Sequence, residues 1–453
     1  MMFKEEYNSE ILRYSKLLIY NISTGNPPTM QEMEIGMKNA ALKDGAKVLS
    51  KIISELSDSM KEIHCRKCDG EMINIGMRSK EIVSLLGAGA IKRRYYECTN
   101  PKCKNHYFPK DKMLNIENTS FTPGVRRIMA KTGSDSSFQK ASKDIKDYCG
   151  LEIGAKDIER VAEDIGVELE KSDIKKQNKL FSRKTISEPT EKFLKETTRM
   201  YIEYDGTGVP STLKELKGRK GKQEDGTAKT REAKLGCIFT QTSVDKDGAP
   251  VRDENSTTYF GAIENSDKFG RRVYTEAIAR GFGTAKEVII IGDGAKWIRN
   301  IADEHFFGAT QIVDMYHAKE HLHGLIKLMF TDKEKQTLII EKWEKLLENG
   351  KIMELTQEIT LENLTKIPTS KIIEREINYF KENSSRMQYS NFKERGLFVG
   401  SGVIEAGCKN IIGKRLKQSG MRWSHKGANA IIALRCGLYS EKFDEFWEKQ
   451  QAA

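Results

Sequence analysis

No window of this chain approaches the ~18 consecutive apolar residues that a membrane-spanning helix requires. The longest apolar runs, such as VIII at 288–291, have the length of buried strands. The start, MMFKEEYNSEILRYSK, lacks a basic segment followed by an apolar core, so a secretory leader is not expected. Cysteine is sparse. Eight in 453 residues, without a leader, argue against a disulfide framework and point to a cytoplasmic protein. The charges do not balance either: 76 Lys and Arg against 65 Asp and Glu give +11. Such an excess favours a polyanionic partner, because basic side chains displace counterions from phosphates. The length exceeds what one core usually covers, so about two to four domains are expected.

Residues 1–60 are expected to be helical, with Met33, Met37, Ala41, Val48, Ile52 and Leu56 on one packing face. Residues 61–112 carry short β-type runs, EIVSLL and RRYYEC, between two cysteine pairs, and read as a small metal-stapled module. Residues 113–172 return to helices. Phe138, Ala141 and Ile145 share one face, Ile158, Val161 and Ile165 the next, and the break falls at Gly150 to Gly154. That spacing fits a helix-turn-helix and fits an ordinary helical hairpin equally well. Residues 173–197 are polar and basic, as in a linker. From residue 198 strands and helices alternate through 329 and resume in 393–453, around an all-helical insertion at 330–392. Within this stretch 211–234 is a highly charged insertion between the first two strands. The expected fold class is multidomain α+β: an RNase H-like mixed-sheet catalytic domain with a helical insertion, preceded by a zinc-ribbon-like module and a helix-turn-helix.

Cys65-Arg-Lys-Cys68 and Cys98-Thr-Asn-Pro-Lys-Cys103 offer four thiolates from two short turns, the donor set of a tetrahedral structural zinc site. His106 is close enough in sequence to compete with Cys103. Asp205 in MYIEYDGTGVP and Asp293 in EVIIIGDGAKW each end an apolar run before a glycine. Glu405 in GSGVIEAGCKN opens a basic amphipathic helix. Singly, each has an ordinary explanation as a turn or a helix-start residue. Together they stand where an RNase H-like sheet gathers carboxylates around two divalent ions, Mg²⁺ or Mn²⁺. Asp314, after the strand QIV, is placed to cap a helix, and His317 to contact a phosphate or steer a carboxylate. His321 and His323 read as part of an exposed helix face. Lys409, Lys414, Arg415, Lys417 and Arg422 suit a helix laid along a phosphate backbone, with Trp423 available for stacking or packing.

Several segments in order carry a family resemblance: RRYYEC with its cysteine pairs, TPGVRR, YDGTGVP, EAKLG, FGRRVYTEA, VIIIGDGAKWI, IVDMYHAKEHL and GSGVIEAGCKNIIGKRLKQSGMRWSHKGA. From Cys65 onward the chain resembles the Mutator-like DDE transposases of prokaryotic insertion sequences, in particular the Kra-type group. The resemblance implies that Asp205, Asp293 and Glu405 form a catalytic triad. It implies that Asp314 and His317 form an auxiliary Asp-x-x-His motif. It further implies double-stranded DNA partners, namely terminal inverted repeats and target DNA. A homodimer or larger synaptic assembly and a nucleoid-associated location in a prokaryote are also implied. Met315 stands where Trp is common and Ala406-Gly407 where Ser-Ala is usual, and the second cysteine pair is widely spaced. The alternative expectation is an inactive or domesticated descendant that only binds DNA.

Overall fold

The computed structural model describes residues 9–59, 64–182, 198–221, 226–364 and 371–452. The chain divides into two compact units: Met1–Ala162 with Trp447–Ala453, and Glu163–Phe446.

In the first unit, α1 (Glu10–Ser23) and α2 (Met30–Glu55) form a helical pair, α2 starting at a Thr29–Glu32 capping box. The buried residues of α2 are Ala40, Asp44, Ala46 and Ile53. Ala41, Ile52 and Leu56, expected inside, are exposed. The face is turned because Asp44 points inward, accepting from the Ser9 hydroxyl and the N–H groups of Glu10 and Ile11 at the start of α1. Ile53 joins Ile82, Ile91 and Ile116 in a small core. The hairpin β1 (Met72–Ser84) and β2 (Gly87–Cys98), with the short β3 (His106–Tyr107), makes a three-stranded sheet. The short α3 (Pro109–Met113) follows, then α4 (Pro123–Asp135) and α5 (Phe138–Cys149). Gly150, at φ +70°, ends α5 in the left-handed conformation that favours glycine. The long α6 (Ala155–Phe181) begins after it. Residues 173–182, expected in the linker, therefore continue a helix and its turn; 183–197 lie outside the described residues.

The second unit is a mixed α/β assembly. After β4 (Arg199–Pro210), α7 (Leu213–Leu216) and β5 (Thr230–Gln241), a two-stranded ribbon pairs β6 (Ser243–Val244) with β7 (Pro250–Val251). Part of the charged insertion, 222–225, lies outside the described residues. Next come β8 (Thr258–Ala262), α8 (Ser266–Ala279), β9 (Glu287–Gly292), α9 (Lys296–His305), β10 (Thr310–Val313) and α10 (Met315–Met329). The central sheet has the order β10-β9-β4-β5-β8. Only β5 opposes the other strands, since β4, β9 and β10 run parallel and β5 pairs antiparallel with both β4 and β8. This mixed five-stranded sheet is consistent with the RNase H-like arrangement expected.

Strand alternation sorts β4 into two faces. Met200, Ile202 and Tyr204 join Phe269, Val273, Ile298 and Ile301 in the core under α8 and α9. Tyr201, Glu203 and Asp205 face the other way. The insertion α11 (Lys333–Glu348), α12 (Ile352–Leu364), α13 (Lys371–Asn383) and α14 (Tyr389–Glu394) is helical in its described residues. The chain then runs through α15 (Gly402–Gly407), a π-helical stretch Cys408–Gly413, α16 (Lys414–Leu416), α17 (His425–Tyr439) and α18 (Lys442–Ala452). The last two helices are separated at Glu441, which takes φ +57°. No helix among the described residues is long and apolar enough to cross a membrane.

Candidate functional sites: a carboxylate edge and a four-cysteine cluster

Register brings three aspartates to one edge of the sheet. Glu203 lies beside Ile291 on β9, so two residues further Asp205 comes level with Asp293. Val313 lies beside Gly292, so Asp314 comes level with Asp293 from the other side. Adjacent strands are about 4.8 Å apart, and Asp205 senses the Asp293 charge. Burial pushes the Asp205 carboxyl above the usual aspartate range, the Gly206 N–H opposes this, and the Asp293 charge adds to it. Asp293 turns directly into Gly294, at φ +84°, and its Oδ1 accepts from the Ala295 N–H at 2.8 Å. A side chain at position 294 would also meet the Tyr379 ring at about 3.0 Å.

Glu405 lies on α15, over the face of β4 that carries Asp205, and its side chain is exposed. Close approach of this helix requires Gly407, because a Cβ there would sit 2.7 Å from the Tyr259 ring. The next residue, Cys408, places its Sγ 3.9 Å from Asp205 Oδ2.

Asp314 plays a structural part. Fully buried, it caps α10 by accepting from the His317 N–H at 2.9 Å, and its other oxygen accepts from the Ser401 N–H. One carboxylate thereby ties the third parallel strand to the segment that leads into Glu405. The His317 ring lies 3.3 Å from Glu320 and, when protonated, favours the ionised form of Asp205.

Two residues escaped the sequence reading. Glu203 is completely buried, and its Oε2 accepts from the Ile404 N–H at 2.9 Å, one residue before Glu405. Its Oε1 has no hydrogen-bond partner. Burial pushes the carboxyl up to about 8, against the Ile404 N–H and with help from Asp314. The signal was present, since Glu203 and Asp205 are two apart on a strand and so share a face. Tyr379, from α13, donates its hydroxyl to the Asp293 carbonyl at 3.2 Å and stacks on His321 with ring centres 4.1 Å apart. His321 and His323, expected on an exposed face, instead bond Glu376 and Glu344 of the insertion.

Glu203→Gln keeps an acceptor for Ile404 and is expected to fold. The wild-type group holds its proton in the folded state up to about 8 but loses it near the ordinary glutamate range when unfolded. Folding stability therefore falls as pH rises across that window, so the variant's relative stability should grow from pH 5 to 8. Denaturant melts at several pH values would show it. Glu203→Ala should instead lose about 1–3 kcal/mol by orphaning the Ile404 N–H.

The basic segment divides. Lys409, Lys414, Lys417 and Arg422 are exposed, and Lys417 donates to Thr207, two residues beyond Asp205 on β4. Arg415 and Trp423 are buried, contrary to a role along DNA. The Arg415 guanidinium lies 5.0 Å from the Trp423 ring centre, and the indole N–H donates to the Leu416 carbonyl. The Trp423 backbone also pairs with the end of β4, bonding Pro210 and Thr212.

In the first unit, Cys65, Cys68, Cys98 and Cys103 bring all four sulfurs within 4.8 Å of one another. The cluster can bind a metal such as zinc. Among the described residues it is the only group of three or more His, Cys, Asp or Glu gathered that closely. Asp205, Asp293 and Glu405 are not gathered that closely. Asp69 and Lys104, at φ +58° and +49°, form the tight turns of the two cysteine loops. Hydrogen bonding by the Lys67 N–H, then by Asn105 and Cys68, brings the Cys65 thiol down to about 6 against its burial. His106 belongs to β3 and contacts the rings of Tyr95 and Phe108. It lies outside the cluster.

The description "Uncharacterised protein family (UPF0236)" matches residues 24–442. No curated protein matches the chain. Among solved structures, a chain of the Drosophila P element transposase strand transfer complex aligns over 75% of this chain and 83% of its own length. At 9% identity and a TM-score of 0.25 that likeness carries no argument.

Proposed function

The chain belongs to the uncharacterised protein family UPF0236, and from that premise we propose that it is a DNA transposase with an RNase H-like catalytic domain. Asp205, Asp293 and Glu405 are its catalytic residues, cleaving the ends of a mobile element and joining the freed 3′-hydroxyl to target DNA. The observation that carries this reading is the register that sets Asp205 level with Asp293 while α15 brings Glu405 over the same face.

The donor set suits hard divalent cations, because it is all carboxylate and burial with the Asp293 charge raises the proton affinity of Asp205, which a cation would offset. Two Mg²⁺ or Mn²⁺ ions held by Asp205, Asp293 and Glu405 would supply activation of the attacking oxygen and stabilisation of the leaving one. The protein's own contribution is placement. Asp314 and Glu203 hold the Ser401 and Ile404 N–H groups, fixing the approach to Glu405, and Tyr379 fixes the Asp293 turn. Lys409, Lys414, Lys417 and Arg422 lie beside this edge to receive phosphates. The cysteine cluster is a structural zinc site, and α5 with α6 is the helix-turn-helix that recognises terminal repeats. Joining two ends requires at least a dimer in the synaptic complex.

The test is incubation with labelled duplexes carrying the element's terminal repeats, in Mg²⁺, Mn²⁺ or EDTA. Nicked and joined products that need metal and vanish in Glu405→Gln are expected. Binding without cleavage in any metal would reduce the protein to a DNA-binding descendant.

A further inference from the structure

Across the sheet from Asp205 lies a groove of about 720 Å³. Lys234 lines it and pairs with Gly206, so its side chain leaves the sheet on the face opposite Asp205. The acids of the groove are already engaged. Glu264 takes two bonds from Arg272 at 2.7 and 3.1 Å, Glu232 pairs with Lys234, and Glu170 accepts from Asn429. Apart from Lys234, the cations are not. Among the described residues, Arg219, Arg231, Lys268 and Arg271 line the groove without an ion-pair partner. Burial, and then the charge of Arg219, hold the Arg231 guanidinium below its usual range. Like charges converge here, offset only in part by Glu215, whose charge favours the Arg231 guanidinium. The N-terminus of the 14-residue α8, capped by Asn265, opens onto the same space and adds positive potential. The one large ring in the lining, Phe181, is covered by Arg271 at 5.0 Å, so the groove offers charge rather than a free stacking platform.

We propose that this groove binds the phosphodiester backbone of a DNA segment, independent of sequence, as a second contact across the sheet from the carboxylate edge. The proposal rests on the DNA reading above. It gives the protein a second basic surface that neither cuts nor reads bases. DNA held there would be anchored while a different segment lies at Asp205.

The experiment compares full-length wild type with Arg219→Gln/Lys268→Gln/Arg271→Gln, three exposed positions whose change spares the core. A control carries Lys333→Gln/Lys371→Gln/Lys381→Gln, which removes the same charge from the helical insertion. Binding to a random-sequence duplex is followed by fluorescence anisotropy over a salt series. Losing three phosphate contacts should make the log–log salt slope shallower by roughly 2–3 and weaken binding by at least about tenfold near physiological salt, in the groove variant only. An unchanged slope, or an equal loss in the control, overturns the assignment. A labelled nucleoside triphosphate that binds wild type but not the groove variant, with DNA binding unchanged, also overturns it and gives the groove to a free nucleotide. Folded wild type that binds no duplex at any salt defeats the DNA reading itself, a result distinct from the others.

Discussion

Asp205→Asn is expected to abolish strand cleavage and joining while leaving DNA affinity in EDTA unchanged. Asparagine has nearly the same volume and keeps an oxygen for the Gly206 N–H, which the wild-type carboxylate accepts at 2.6 Å. What it removes is the charge that, in the proposed function, would share a cation with Asp293. Metal stabilisation of a phosphoryl transition state amounts to several kcal/mol, and about 4 kcal/mol is roughly 10³-fold in rate. The fold should not suffer. Burial and Asp293 make the ionised Asp205 costly, so its loss should leave the metal-free protein as stable as wild type or slightly more so at pH 7. The same displacement predicts that wild-type activity falls, as pH is lowered, at a higher pH than an ordinary aspartate would dictate. A turnover assay paired with thermal melts separates the outcomes. Substantial cleavage by the variant would remove Asp205 from the catalytic set.

Stripping metal from the four-cysteine cluster should unfold the β1–β2–β3 module and leave the second unit folded. The core around the cluster consists of Cys65, Cys98, Met72 and Tyr96, with Cys103 and Tyr107 packed against it, so much of it is the ligand set itself. Structural zinc sites of this kind contribute about 10–16 kcal/mol of apparent binding energy, far more than so small a core supplies. The protein should carry one zinc per chain. Chelation, or Cys98→Ser, should expose residues 64–107 to protease, whereas Cys237→Ser, a buried cysteine outside the cluster, should retain the metal. Zinc content by elemental analysis and limited proteolysis test this. A metal-free chain that stays protected at 64–107 would refute the structural role.

Residues whose placement depends on chain position were legible in the sequence. Asp205 and Asp293 announce themselves as acids ending apolar runs before glycine, and two strands that end in register then set them side by side. The cysteine pairs were legible for the same reason, because their local turns carry the ligands. What sequence concealed depends on partners far along the chain. Glu203 sits in an apolar run, and its role appears only when Ile404, 201 residues away, presents its N–H. Tyr379 lies in a helix whose periodicity says nothing of Asp293. Charge runs misled in one direction. Arg415 stands among exposed lysines yet turns inward onto Trp423, which arginine can do because its planar, weakly hydrated head stacks on a ring. In α2 the inward turn of Asp44 shifted a face that apolar spacing alone would have set otherwise.

If Asp205, Asp293 and Glu405 together hold divalent cations, as proposed, iron substitution will reveal it. With zinc in place and DNA bound, Fe²⁺ replaces Mg²⁺, and ascorbate and peroxide generate hydroxyl radicals at the bound iron. Backbone cuts are expected to cluster around 205, 293 and 405, to be suppressed by excess Mg²⁺ and to be absent in Asp205→Asn. Cuts that ignore these three segments, or that persist unchanged in the variant, would contradict it.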